Sequence, residues 1–334
     1  MDSRSERLVT IVIVAHNDWP DLELAIQSAL HQSYEPVEVI VVDNDSSDAT
    51  ARQVPARFGD RLIYRRRPNR FEGGGRNTGF ELASGEFIQF LDADDFLAPN
   101  KIEKQVAALE ADPDADIVYG DFRVFASPGV GLGDEDGTNR EYDDFLWALV
   151  APEGNGAGLL PQSVLFRRRA VERIGPWDET IPTSDQDYWL RAAASGCRFR
   201  YCPGSLCFYQ RRPGQMTARP LSILRDMEAT GAKALGYIHD EPYRELLATR
   251  LARTRFVLAL ADSSGRRDAF SQLKLARATS PETISRLALV SGFAVAALPG
   301  GLWLARAPSV RPVRSAAARL LHLDETSGQT PSHA

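Results

Sequence analysis

At 334 residues the chain outgrows the usual single hydrophobic core, so one large domain with a smaller appendage is expected. Its 43% hydrophobic and 25% charged content excludes a disordered or fibrous protein. A net charge of -6 without a concentrated basic run argues against nucleic acid as a partner.

Leu8 to Ala15 is a continuous β-branched run, too short for the core of a secretion signal, and is expected to be a strand buried on both faces. Asp18 is expected to cap a helix whose Leu22, Ala25, Ile26, Ala29 and Leu30 recur at helical spacing, and Val37 to Val42 supplies the next parallel strand. Further strands are expected at Leu62 to Tyr64, Glu86 to Leu91 and Asp116 to Phe122, with helices at Gly75 to Ala83 and Asn100 to Glu110. This alternation predicts an α/β nucleotide-binding sheet flanked by helices, with its chemistry just beyond the carboxyl ends of the strands. Ser127 to Thr138, rich in glycine and acid, is expected to be a mobile loop over the site. Cys197, Cys202 and Cys207 are odd in number and lack zinc or disulfide spacing, which fits a reducing, cytoplasmic setting. After Pro220 leucine, alanine and arginine recur at helical spacing, so residues 1–218 are read as the catalytic domain and 219–334 as a helical region with a disordered tail from about residue 324.

Four segments carry chemistry. The strand ending in Asp92-Ala93-Asp94-Asp95 delivers three carboxylates that need a cation, and hard oxygen ligands there suit magnesium or manganese. A capped acidic turn is the plainer reading, and the preceding apolar strand weighs against it. Asp43 to Asp48 closes the second strand with side chains able to hydrogen-bond a base or ribose, or simply to cap a turn. Gly73-Gly74-Gly75-Arg76-Asn77-Thr78-Gly79 matches neither a dinucleotide fingerprint nor a P-loop, yet a glycine-rich helix start can approach phosphate. Trp177-Asp178-Glu179 and Ser184-Asp185-Gln186-Asp187 place acid at the opening of an amphipathic helix, where capping alone accounts for one aspartate.

In this order the motifs resemble the family 2 inverting glycosyltransferases of GT-A fold, over about residues 8 to 217. The resemblance implies donor contacts from His16, Asn17, Asp43, Asn44, Arg76, Asn77 and Asp92, a magnesium or manganese ion held by Asp94 and Asp95, and Asp185 as the base. Ala15 and His16 stand where the family has proline and tyrosine, and Ser184 where it has glutamate. Arg212 replaces a histidine that can approach the metal and, being permanently protonated, is assigned to the donor diphosphate.

The implied reaction moves a sugar from a UDP or dTDP sugar to a saccharide or lipid-linked saccharide hydroxyl, in polysaccharide or glycoconjugate biosynthesis. A nucleotidyltransferase on a similar sheet and a non-catalytic sugar-binding homologue are the competing classes. Leu287 to Leu298, flanked by Arg286, Arg306, Arg311, Arg314 and Arg319, is expected either to hold the chain peripherally at the inner membrane face or to pack as a core or homo-oligomer contact.

Overall fold

The computed structural model describes residues 7–126, 135–137, 139–151, 159–212, 220–261, 272, 274–276 and 278–280. Its contacts divide the chain into two compact units, residues 1–149 with 157–218, and residues 150–156 with 219–334.

The first unit is built on a mixed sheet of β1 (Val9–Ala15), β2 (Val37–Asn44), β3 (Ile63–Arg67), β4 (Phe87–Asp92), β5 (Phe96–Leu97), β6 (Ile117–Ala126), β7 (Glu135–Gly137), β8 (Val164–Arg167) and β9 (Phe199–Arg211). The strand order is β3-β2-β1-β4-β8-β6-β9-β5, with β7 beside β6. β1, β2, β3 and β4 run parallel, whereas β8 is antiparallel to both β4 and β6. Because β2 and β3 lie on one side of β1 and β4 on the other, the chain reverses its winding at β1, and ligands bind such sheets in the crevice beyond the strand ends at that point.

Every residue of β1 is buried, as its apolar run requires, and its two faces alternate with the strand period. Ile11, Ile13 and Ala15 join Leu22, Ala25, Ile26 and Ala29 of α1 (Asp21–Leu30) in the main core. Val12 and Val14 face α3 (Phe71–Leu82), which follows α2 (Thr50–Phe58). A β-carbon on Gly79 would collide with Val12, and one on Gly75 would collide with Val14 and lie 3.0 Å from Asn44 Nδ2. α3 therefore starts at Phe71, earlier than expected, and takes the glycine run into its body. Each interior glycine costs about 1 kcal/mol against alanine, a cost that the close approach of helix to sheet offsets.

Two further expectations change. Asp18 does not cap α1 with its side chain. Its carboxylate accepts from His16 N at 2.8 Å, and only its backbone oxygen receives a helical hydrogen bond, from Leu22 N at 3.0 Å. The Ser127 to Thr138 loop contains a strand, since Glu135 to Val124 and Gly137 to Phe122 are in register, while 127–134 and 138 lie outside the described residues. α4 (Lys101–Ala111), α5 (Phe145–Val150), α6 (Arg168–Ile174) and α7 (Asp185–Ala194) complete the unit.

Asp116, at the foot of β6, ties three elements together. Its carboxylate accepts from Arg169 Nε and Arg173 Nη1, both at 2.9 Å, and from the backbone N of Arg198 at 3.1 Å. Burial raises its carboxyl, but these donors outweigh burial and hold it below the ordinary aspartate range. A depressed folded value contributes stability above the unfolded pKa of about 4 and loses it as pH falls through the folded one. Because Arg169 and Arg173 are nearly half exposed and stay solvated, Asp116→Asn is expected to cost only about 1 kcal/mol at pH 7, with the gap to wild type closing below pH about 4 in urea melts.

In the second unit α8 (Pro220–Ala234) and α9 (Tyr243–Ala261) pack through Leu224, Met227, Val257 and Leu258, with Arg255 Nε 2.8 Å from Glu228 Oε1. Among the described residues no helix is long and apolar enough to cross a membrane. The Leu287 to Leu298 segment and the tail lie outside the described residues.

Candidate active site

The carboxyl ends of β1, β2 and β4 converge as the sheet topology requires. Asn17 and Asp45 both adopt positive φ of 62, a conformation short polar side chains tolerate and one that clusters at functional sites. Asn17 Oδ1 accepts from Ser47 N at 2.7 Å, and His16 Nδ1 lies 2.7 Å from Asn44 O, so the β1 and β2 loops brace each other. Asp43 is fully buried, accepting from Ser46 N at 2.7 Å and from the Tyr64 hydroxyl at 2.5 Å. Asn44 donates to Phe71 O at 2.8 Å and so fixes the start of α3.

Arg76 is the centre of the site. It is fully buried, with its guanidinium carbon 4.5 Å from the Trp177 ring centroid. Nη1 donates to Asp185 Oδ1 at 2.8 Å, while Nη2 donates to Asp92 Oδ1 at 2.8 Å and Glu72 Oε2 at 2.9 Å. One guanidinium thus joins the end of β4 to the first residue of α7. Asn77, next along α3, clamps the same region by accepting from Trp177 N at 2.8 Å and donating to Trp177 O and Glu179 Oε1 at 3.0 Å each.

Burial raises the Asp185 carboxyl, Arg76 draws it back and Asp92 raises it again, for a net upward shift. The side chain keeps 33% of its surface open, so a ligand can reach it. Asp187, two residues on, is fully buried with Arg191 Nε at 2.8 Å, which removes it as an alternative base.

The acidic motif after β4 divides into open and closed members. Asp92 and Asp94 keep 23% and 17% of their side chains exposed. Asp95 is buried, accepting from Gln210 N at 2.8 Å and from Gln162 Nε2. Burial, then the charges of Asp94 and Asp92, push its carboxyl well up. Arg212, at the end of β9, places Nε 3.1 Å from Asp94 Oδ2, Nη2 2.6 Å from Asp18 Oδ1 and Nη1 3.0 Å from Asp21 Oδ2.

Among the described residues no three His, Cys, Asp or Glu side chains form a ready-made metal cage. Magnesium and manganese need only one or two protein carboxylates beside substrate phosphate and water, and Asp94 and Asp92 supply that number with open surface. Arg212 already stands on Asp94 as a permanent cation, so an ion would share that carboxylate with the guanidinium or displace it. The donor set fits a divalent ion.

The site brings together Arg76, Asp92 and Asp185, and separately Asp94 and Arg212, while His16, Asn17 and Asn77 are engaged in bracing the loops. Glu72, Gln162 and Tyr64 enter it without having been anticipated. Glu72 was legible as an i,i+4 partner of Arg76, whereas no local pattern marks Gln162.

A mixed sheet with acidic residues at its winding reversal defines a GT-A nucleotide-binding fold. The sequence model described as glycosyl transferase family 2 matches residues 10–175, and the chain belongs to that family through this segment. It is 38% identical to the succinoglycan biosynthesis protein ExoO of Rhizobium meliloti over 228 residues, 63% of this chain and 62% of that protein. It is 32% identical to an uncharacterized glycosyltransferase of Rickettsia typhi over 190 residues, 55% of this chain and 58% of the relative. The matches span less than two thirds of these relatives' length. Among solved structures, S. aureus TarS 1-349 in complex with UDP-GlcNAc superposes with TM-score 0.61 at 16% identity, over 94% of this chain and 88% of that one. The mannosyltransferase PcManGT of Pyrobaculum calidifontis, in complex with GDP-Man and Mn2+, does so with TM-score 0.54 at 22% identity, over 96% of this chain and 86% of that one. These structural likenesses establish the fold.

Proposed function

We propose that this chain transfers a sugar from a nucleoside-diphosphate sugar to an acceptor hydroxyl with inversion, in polysaccharide or glycoconjugate assembly. The observation that carries the reading is the single buried guanidinium of Arg76 holding Asp92, beside the acidic turn, and Asp185, a partly open carboxylate, on one centre. Transfer needs a base for the hydroxyl and charge relief for the departing diphosphate. Asp185 accepts the hydroxyl proton as the acceptor oxygen bonds to the anomeric carbon. The bond from that carbon to the diphosphate breaks on the opposite face, which inverts the centre without a covalent enzyme intermediate. Arg76 keeps Asp185 oriented and Asp92 in place, and Arg212 is near enough to Asp94 to turn its guanidinium to diphosphate oxygens. A divalent ion, manganese or magnesium, held by Asp94 and Asp92, would supply electrostatic stabilisation of the leaving group.

The nucleotide-sugar complexes of TarS and PcManGT support a nucleotide-sugar donor here, and the family name supports sugar transfer. A lipid-linked or free saccharide is the acceptor class. Three free cysteines support a reducing, cytoplasmic setting.

Nucleotide sugars screened with manganese by thermal shift are expected to yield one base that raises the melting temperature, because a ligand at 100 times its Kd adds about 2.7 kcal/mol. That donor should then release nucleoside diphosphate on turnover. Pyrophosphate release from a nucleoside triphosphate instead, or stabilisation by no nucleotide sugar, would overturn the proposal.

A further inference from the structure

A chain of buried amides runs from the middle of the sheet to the acidic turn. Gln89 is a polar residue inside the apolar strand β4, three residues before Asp92, and is fully buried. Its Oε1 accepts from Nζ of Lys101, which is also fully buried and whose amine burial holds down to about 7. Its Nε2 donates to the backbone oxygens of Phe90, Pro161 and Gln162, the last two at 3.3 Å. The 3-10 turn Pro161–Ser163 is thereby fixed against β4. From that turn the Gln162 amide reaches Asp95 Oδ2, and Asp95 Oδ1 takes Gln210 N from β9. Gln162 is fully buried and its own amide oxygen has no partner, so Asp95 alone dictates which way the amide points.

The consequence falls on Asp94. Asp95 N donates to Asp92 O at 3.1 Å, closing a tight turn with Asp94 between them. A carboxylate whose two oxygens are held from opposite sides, by a strand backbone and by a glutamine, cannot rotate, and the turn it anchors cannot relax. Both carboxylates offered to a divalent ion sit on this turn.

We propose that Gln162 is a positioning residue for the divalent-ion site, acting through Asp95 to hold the Asp92 to Asp95 turn in binding geometry. This rests on the reading that Asp94 and Asp92 hold a divalent ion. Groups behind metal ligands typically change affinity by about 10 to 100-fold when removed. A buried amide that only filled space would change stability and leave affinity alone.

The test titrates manganese alone into the full chain, following loss of the free-ion paramagnetic resonance signal, for wild type, Gln162→Met and Gln162→Asn, with melting temperatures measured in parallel. Gln162→Met keeps the length without the donor and is expected to weaken manganese by about tenfold or more. Gln162→Asn keeps an amide one methylene too far away and is expected to weaken it less, which decides the matter if the methionine variant fails to fold. Folded variants that bind manganese as wild type does, whatever their melting temperatures, overturn the proposal. A wild type that binds no manganese either alone or with saturating UDP or dTDP overturns the metal reading itself and this inference with it, and that outcome is separate because it appears before any variant is compared.

Discussion

Asp185→Asn is expected to lower kcat by about 10³-fold while leaving donor affinity within about twofold of wild type. The amide keeps the size of the side chain, and Arg76 keeps Glu72 and Asp92 as partners, so the buried guanidinium is not stranded. What disappears is a carboxylate able to take a proton from the acceptor hydroxyl. Because Asp185 is shifted upward, the acid limb of the wild-type kcat/KM profile should lie above the ordinary aspartate value of about 4, activity falling as pH drops through it. Calorimetry of donor binding beside a turnover assay decides the point. Near-normal turnover would make Asp185 a capping residue and leave the base elsewhere, and not at Asp187, whose carboxylate is sealed against Arg191.

The sheet was legible where strands are buried on both faces. Leu8 to Ala15 and Val37 to Val42 read as continuous β-branched runs because α1 and α3 cover β1 from both sides, leaving no polar face to blur the signal. β9 escaped because Pro203 and Gly204 interrupt it and its burial is mixed, so no period emerges. The same locality limit governs the site. Asp43, Asp92, Asp94 and Asp185 announce themselves by following strands or opening a helix, and each is read within a few residues. That Arg76 binds Asp92 and Asp185 is a contact across 16 and 109 positions, and neither spacing has a local signature. The glycines of α3 were visible, but their purpose was not. Gly75 and Gly79 admit Val14 and Val12 of a strand some sixty residues earlier, Gly73 and Gly74 admit Asp178 O and the Arg67 guanidinium, and only the packed helix reveals that.

Asp94→Ala and Asp95→Ala should separate two kinds of contribution that the sequence presents as one motif. Asp94 is partly open and shares Arg212 with Asp18 and Asp21, so its removal leaves that guanidinium two anions and costs little stability, below about 1 kcal/mol. Its effect should fall on chemistry, with transfer reduced by about 10³-fold at saturating manganese, since an electrostatic contact to a developing charge is worth that much in a shielded site. Asp95 is closed. Truncating it takes the acceptor from Gln210 N and leaves the fully buried Gln162 amide without one, the latter at about 1 to 3 kcal/mol. That variant should therefore lose melting temperature as well as activity, and part of the activity should return on cooling. Melting curves and manganese-saturation kinetics on the two proteins distinguish the roles. An Asp94→Ala enzyme with full activity at saturating manganese would remove Asp94 from the metal site, and a pair of variants equally stable and equally inactive would mean that both carboxylates face the ion.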